Sequence, residues 1–287
     1  MPALRDAVAD ALGRPVVHLR QIAGGDLNDA YAAELDGGER VFVKSADDAA
    51  PGAFMREAEG LHWLSEPQAL PVARVLAVAD DPLGPRFLAL EWIERGASGP
   101  GTDELLGRGL AALHAAGAAS FGGDGDVVLG PLTLPNAPLD DWPHFYAARR
   151  LEPLARMASD RGALPGGALA LLDRLTCRLD DLCGPAEPPA RLHGDLWSGN
   201  VLIGEDGQPW LIDPAAYGGH REVDLAMLRL FGSPSSGVLA AYEEITPLAP
   251  GHEDRIALWQ VMPLLAHAAL FGGGYGSSAV AAMSRYA

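Results

Sequence analysis

Cysteine is nearly missing: Cys177 and Cys183 are the only two in 287 residues. They match no zinc-ligand spacing and cannot build a disulfide framework. A cytoplasmic location is the default that such cysteine usage leaves. Basic residues are scarce as well. Lys and Arg total 21 against 38 Asp and Glu, a net charge of −17. Such a chain repels a phosphate backbone, which excludes general nucleic-acid binding as an expectation. Long apolar runs are absent too. The most apolar stretch, IALWQVMPLLAHAALF, is interrupted by Gln260, Pro263 and His267. It is too short for a bilayer and reads as a buried helix kinked at Pro263. No membrane partner is expected. The first residues, MPALRDAVADALGRP, have amphipathic helical spacing and lack the pattern of a signal peptide.

What is present is ordinary globular composition, 48% hydrophobic and 21% charged. That suffices for one large domain or two lobes. DAYAAEL and RVFVKSA are strand-like runs joined by DGGE, a hairpin signal. A helix is expected over 54–65. VARVLAVAD and RFLALEWI read as two more strands around the turn DPLGP. The Gly/Ser/Pro cluster ERGASGPG then reads as a connection. TDELLGRGLAALHAAG is a helix opened by Thr102 and stopped by Gly117. GALALLDRLTCRLDDLCG reads as one helix ended by Gly184, and the chain after Asp224 as mostly helical. The expected fold is α+β, with a small antiparallel-sheet N-lobe over 1–94 and a larger, mainly helical C-lobe over 95–287.

The informative stretch is HGDLWSGNVLIGEDGQPWLIDPA. NVLI and PWLI are short strands around the turn GEDGQ. A hairpin of that length brings Asn200, at its start, near Asp213, at its end. Asp195 lies in the preceding loop. Three oxygen-bearing side chains therefore converge at one end of one hairpin, the layout phosphoryl transfer uses. Asn200 and Asp213 are the candidate Mg²⁺ ligands, being hard oxygen donors. Asp195 is the candidate base for an acceptor hydroxyl. His193, Asp195, Leu196 and Asn200 match the spacing of the protein-kinase catalytic loop, so the two-lobed fold is expected to be protein-kinase-like.

The rest of such a fold must grip ATP. Lys44 ends VFVK, where a strand lysine meets the α- and β-phosphates. Its partner must be a Glu on the next helix. Phe54, Ala58, Leu61 and Leu64 define one face there. Glu57 lies on that face and Glu59 points away, so Glu57 is the expected partner. Gly24 and Gly25 fall where a phosphate-covering loop belongs. The adenine is expected against Glu91, Trp92 and Ile93, through backbone groups of Glu91 and Ile93. Gly194 replaces the Arg of H-R-D, DPA replaces D-F-G, and only ten residues separate Asp213 from Asp224. These departures point to a constitutively active small-molecule kinase.

Other candidates carry roles of orientation or packing. His193 orients the loop backbone. Asp224 caps its helix and braces the catalytic loop. Trp197, beside Asp195, either offers a flat wall to the acceptor or anchors the loop in the core. His114 is a satisfied core histidine. His220 and Arg221 are left open as substrate contacts. Trp142, Phe145 and Arg149 either border the acceptor pocket or pack between helices.

LHGDLWSGNVL, LIDPAAYGGHREVDLAM and FGGGY together resemble the fructosamine (ketosamine) kinase family, within the aminoglycoside-phosphotransferase-like branch of the kinase fold. The likeness extends to AGGDLNDAY, FVK, LALEWI, LAALHAAG and DWPHFYAARRL, nearly the whole chain. Trp197 distinguishes this family's loop from its aminoglycoside-modifying relatives. The resemblance implies ATP-dependent phosphorylation of a ketosamine at its 3-hydroxyl, on free adducts or glycated proteins, with release of the amine. It implies Asp195 as proton acceptor, Asn200 and Asp213 as Mg²⁺ ligands, and Lys44 with Glu57 as the phosphate-orienting pair. Gly218 departs from the family, which often has an aromatic there. Two alternatives stand beside it: a kinase for another hydroxylated amine such as an aminoglycoside or amino alcohol, and a nucleotide-binding module without catalysis.

Overall fold

The computed structural model describes residues 2–23, 28–46, 49–232 and 236–287. Helix α1 (Pro2–Leu12) precedes β1 (Val16–Ile22), β2 (Asp29–Leu35) and β3 (Arg40–Ser45). Helix α2 (Ala53–Ser65) then leads to β4 (Val75–Ala79) and β5 (Phe87–Glu91). The five strands form one antiparallel sheet in the order β1-β2-β3-β5-β4. The β2–β3 hairpin falls where DGGE signals it, and α2 where its apolar spacing does.

Strand alternation decides what each side chain meets. Val41, Val43, Phe87 and Ala89 face α1, packing with Leu4 and Val8. Leu88 and Leu90 face the other way, onto Phe54, Leu61 and Leu64 of α2. Lys44, paired across from Leu88, shares that second face. Each large apolar side chain buried there contributes roughly 1.5–3 kcal/mol.

The second half is mostly helical. α3 (Thr102–Ala115) is followed by the hairpin β6 (Val127–Leu129) and β7 (Leu132–Leu134). α4 (Trp142–Phe145) runs through a π-helical turn, Tyr146–Leu151, into α5 (Glu152–Asp160). α6 (Ala168–Thr176) and α7 (Leu179–Leu182) come next, then the short strands β8 (Ala190–Leu192), β9 (Val201–Ile203), β10 (Pro209–Leu211) and β11 (Tyr217–Gly219). α8 (Glu222–Leu228), α9 (Ser236–Ile245), α10 (His252–Phe271) and α11 (Tyr275–Met283) complete the chain. No described helix is long and apolar enough to cross a membrane.

Two local expectations need correction, and the buried helix expected around Pro263 is present. Thr102 does not cap α3. Gly101 holds the cap position with φ +89°, and Thr102 is the first helical residue. Its hydroxyl accepts from the Gly99 N–H and donates to the Gly207 carbonyl, both at 3.0 Å. The stretch 168–182 is two helices, broken at Cys177–Arg178, and Leu175, Leu179 and Cys183 all reach the core. Pro263 sits inside the continuous α10. It cannot donate to the Trp259 carbonyl four residues back. The buried Tyr146 hydroxyl donates there instead at 3.3 Å, and to the Leu258 carbonyl at 2.9 Å.

One apolar cluster joins the sheet to the helical part. Leu88 and Leu90 share it with Leu110 and Leu113 of α3, Leu196 of the segment between β8 and β9, and Leu225 of α8. The β9–β10 hairpin is clamped on both edges as well. Leu211 donates to the Pro71 carbonyl at 2.9 Å, and Gly96 donates to the Ile203 carbonyl at 2.8 Å. The hairpin bearing Asn200 and Asp213 is therefore fixed by backbone from both sides.

Candidate active site

β8 delivers the chain into loop 193–200, and β11 pairs with β8 so that the segment after Asp213 lies alongside. Gly194 sits at the contact. Its φ is +82°, and a Cβ there would run into the Ala215 carbonyl. The close approach is why no Arg stands at this position. Asp224, fully buried in α8, accepts the His193 N–H at 2.7 Å and the Gly194 N–H at 3.0 Å. It braces the loop as expected. It caps no helix: Arg221 holds the cap position of α8, with no side-chain cap bond. His114 reaches Asp224 at 3.3 Å with one ring nitrogen and the Tyr242 hydroxyl at 2.8 Å with the other. His193 donates from Nε2 to the Ile212 carbonyl at 2.9 Å and accepts the Asp195 N–H on Nδ1 at 3.3 Å. Burial pushes its pKa down, so the ring is neutral and orients the loop.

The polar side chains meet at the end of the hairpin. Ile212 donates to the Asn200 carbonyl at 3.1 Å and closes it. Asn200 donates from Nδ2 to the Asp195 carboxylate at 3.0 Å and to the Asp195 carbonyl at 2.8 Å. Lys44 donates to Glu57 at 2.8 and 3.0 Å and to Asp213 at 3.1 Å. Glu59 faces away and pairs with Arg56 at 2.7 Å. Asp213 holds φ +52°, a left-handed backbone rare for a non-glycine residue. Burial alone would lower the Lys44 pKa, but the Asp213 and Glu57 carboxylates outweigh it and hold the ammonium well above its usual range. Burial pushes Glu57 up to about 7, Lys44 pulls it down and Asp213 adds to the rise. Burial likewise raises Asp195 to about 6, against the Asn200 hydrogen bond and with the charges of Asp213 and Asp224.

These groups open into a cavity of about 800 Å³. Lys44, Glu57, Asp195, Asn200 and Asp213 line one end, with Trp197 in the wall beside them. Trp197 is half-buried, edge-on to Phe231 with 6.1 Å between ring centroids. More of the wall comes from the segment 118–131, apart from Phe121, together with Met227 of α8 and Met262, Leu270 and Phe271 of α10. This wall was not foreseen. Its one sequence signal is the glycine run of SFGGDGDVVLGP, which marks a loop but names no role. At Gly218 the wall is backbone. Gly218 and Gly122 exchange hydrogen bonds at 3.1 and 2.8 Å, and a Cβ at Gly218 would strike the Ser120 carbonyl.

Other candidates lie elsewhere. His220 stacks on Trp259 at 5.1 Å, and Arg221 binds Glu187 through two bonds of 2.7 and 2.8 Å. Trp142 and Phe145 are buried in the helical core, and Arg149 donates to the Ala137 carbonyl at 3.3 Å. None of these five lines the cavity. Glu91, Trp92 and Ile93 lie outside it too. The Glu91 N–H is taken by the Arg74 carbonyl at 3.0 Å, and the Arg40 guanidinium covers the Trp92 ring at 4.7 Å. Gly24 and Gly25 fall outside the described residues.

The model of the fructosamine kinase family matches residues 1–287. A candidate ketoamine kinase of Synechocystis sp. is 36% identical over 277 residues, covering 95% of this chain and 92% of that protein. A chloroplastic protein-ribulosamine 3-kinase of Arabidopsis thaliana is 32% identical, covering 94% of this chain and 83% of that protein. The crystal structure of a candidate fructosamine-3-kinase from Thermobifida fusca superposes with a TM-score of 0.91 at 43% identity, covering 100% of this chain and 99% of that one. An aminoglycoside phosphotransferase, APH(4)-Ia, superposes at 0.64 with 18% identity, covering 98% of both chains, and shares the fold.

Proposed function

Because the chain belongs to the fructosamine kinase family, we propose that it transfers the γ-phosphoryl group of ATP to the 3-hydroxyl of a ketosamine, a fructosamine or ribulosamine adduct of an amine or protein. The observation that carries this reading is the meeting of Asp195, Asn200, Asp213 and Lys44 at one end of a cavity whose next wall is Trp197.

Asp195 holds the acceptor hydroxyl in line with the γ-phosphorus and takes its proton as the new O–P bond forms and ADP leaves. The transition state of such transfers is loose, so positioning matters more than base strength. A carboxylate titrating near 6 is ionised at neutral pH and still able to accept a proton. Asn200 keeps Asp195 in one rotamer through its amide. Lys44, fixed by Glu57, orients the donor phosphates. Asn200 and Asp213 form a donor set of hard oxygens without sulfur or imidazole, and the Asp213 side chain is 35% exposed, so Mg²⁺ fits there. Bound Mg²⁺ supplies charge neutralisation at the phosphate oxygens. Trp197 offers its ring to the sugar's C–H face. The phosphorylated adduct then sheds its amine, which makes the reaction a deglycation step, and a cytoplasmic location supplies the ATP.

The test is an assay with ATP, Mg²⁺ and glucose- or ribose-derived ketosamines (fructosamines or ribulosamines), with the phosphorylated position read by NMR. Phosphorylation at the 3-hydroxyl is expected. ATP turnover that rises only with an aminoglycoside or amino alcohol would overturn the acceptor assignment.

A further inference from the structure

Six carboxylates line the cavity among the described residues: Glu57, Glu59, Asp124, Asp126, Asp195 and Asp213. Two cations face them, and both are committed. Lys44 is bound by Glu57 and Asp213. Arg56 is bound by Glu59 at 2.7 Å, reaches the Asp124 carbonyl at 3.5 Å, and its guanidinium lies over Gly125. His267 also lines the cavity, with Nδ1 on the Pro263 carbonyl at 2.8 Å. Leu129, Met262, Leu270 and Phe271 make the remaining wall apolar. Setting aside Glu57 and Asp213, which serve Lys44 and the proposed metal, the lining still offers Glu59, Asp124, Asp126 and Asp195 with hydrocarbon, and among the described residues no open Arg or Lys fork for an anion.

Taking the ketosamine reading as its premise, we propose that this cavity selects ketosamines whose amine part carries no carboxylate, and discriminates against adducts of free amino acids. Every ketosamine brings a secondary ammonium, which the acidic lining favours. An α-amino-acid adduct adds a carboxylate one carbon beyond that nitrogen. Counting bonds, it lies within roughly 8 Å of the reacting hydroxyl. With the hydroxyl on Asp195 the carboxylate stays in the cavity that Asp195, Asp124 and Asp126 all line, facing like charge that salt screens only in part at low ionic strength. An amide in its place removes that repulsion and keeps the shape. The class includes adducts of protein amines and of simple alkylamines. Asp124 and Asp126 are the specificity-determining residues, exposed on the loop and outside the catalytic group.

The experiment compares kcat/KM for the ketosamines of leucine and leucine amide, each made from glucose (fructosamine) and from ribose (ribulosamine). At about 20 mM salt the amide adduct is expected to be favoured about tenfold or more, and the gap to shrink at about 0.5 M salt. In D124N and D126N the ratio is expected to fall by roughly two- to fivefold each, the effect of a screened surface charge. Equal kcat/KM for acid and amide, or a ratio insensitive to both salt and these variants, overturns the proposal. Phosphorylation of neither compound overturns the ketosamine reading itself. A peptide glycated at its N-terminus that turns over like the amide places protein termini in the class; its rejection confines the class to small amines.

Discussion

Lys44 Nζ lies 2.8 Å from Glu57 Oε2, and Lys44 is the only lysine in the chain. The single side-chain amine is thus buried, paired on two sides and held as ammonium. Amine reagents attack the neutral form, so native Lys44 should resist an N-hydroxysuccinimide ester while the denatured chain is labelled there. Mass spectrometry of the one lysine peptide measures this directly. Native labelling at the rate of an exposed amine would contradict the pairing. Lys44→Met should lower kcat/KM on the order of 10²–10³-fold, the scale for one preorganised cationic or hydrogen-bonding group.

Asp195 makes two opposite predictions about pH. For catalysis the carboxylate must be ionised, so kcat/KM should rise with pH and level off above about 6. For stability the sign reverses. Burial raises the folded-state pKa above the ordinary aspartate value of 3.8, so the folded chain binds the proton more tightly than the unfolded one. Its stability contribution is present at low pH and is lost as pH climbs from about 4 to about 6. Asp195→Asn should therefore melt higher than the parent at neutral pH, with the difference closing near pH 4. The same variant should keep ATP affinity and lose about 10²–10⁴-fold in turnover. Unchanged turnover would remove Asp195 from the mechanism.

Asp224 accepts two backbone N–H groups of the catalytic loop from full burial. Asp224→Ala leaves both donors and the His114 ring without that partner. Each orphaned buried donor costs about 1–3 kcal/mol. A loss of roughly 2–6 kcal/mol in unfolding free energy is expected, read by urea titration. Asp224→Asn keeps one acceptor oxygen and should recover part of it. Tyr242→Phe removes only the far end of the relay through His114 and should cost about 1 kcal/mol.

The catalytic end of the site is legible in the sequence because short-range geometry builds it. Asn200 and Asp213 are joined by a hairpin, Glu57 is picked from Glu59 by helical period, and Lys44 by its place on a strand. The rest of the wall is not legible. Gly122–Gly130, Met227 and Phe271 come from segments distant in the chain, and only packing brings them together. Thr102 shows the same limit at small scale. Its hydroxyl suits a helix cap, yet a left-handed Gly101 takes that position and the hydroxyl turns to the hairpin at Gly207. His220 and Arg221 follow the catalytic segment closely in sequence, but β11 and α8 carry them into a network with Glu187 and Trp259.

Gly194 has a double meaning that gives a sharp test. Read as a motif, it removes the Arg that a regulated kinase would use to receive an activation-loop phosphate. Read in three dimensions, it has φ +82° and lies against the Ala215 carbonyl, so even a methyl group does not fit. Gly194→Ala should cost at least 1–3 kcal/mol, about the strain of a left-handed non-glycine residue, with the clash added. The damage should also reach activity. The loop that shifts carries Asp195, and the segment it presses on follows Asp213. A variant folded by circular dichroism is expected to show a lowered kcat, because Asp195 is the residue next to the substitution, and a raised KM for ATP as well, because the displaced segment adjoins Asp213, which holds Lys44. Full stability and full kcat in Gly194→Ala would show that the two segments are free to separate, against the close packing described above.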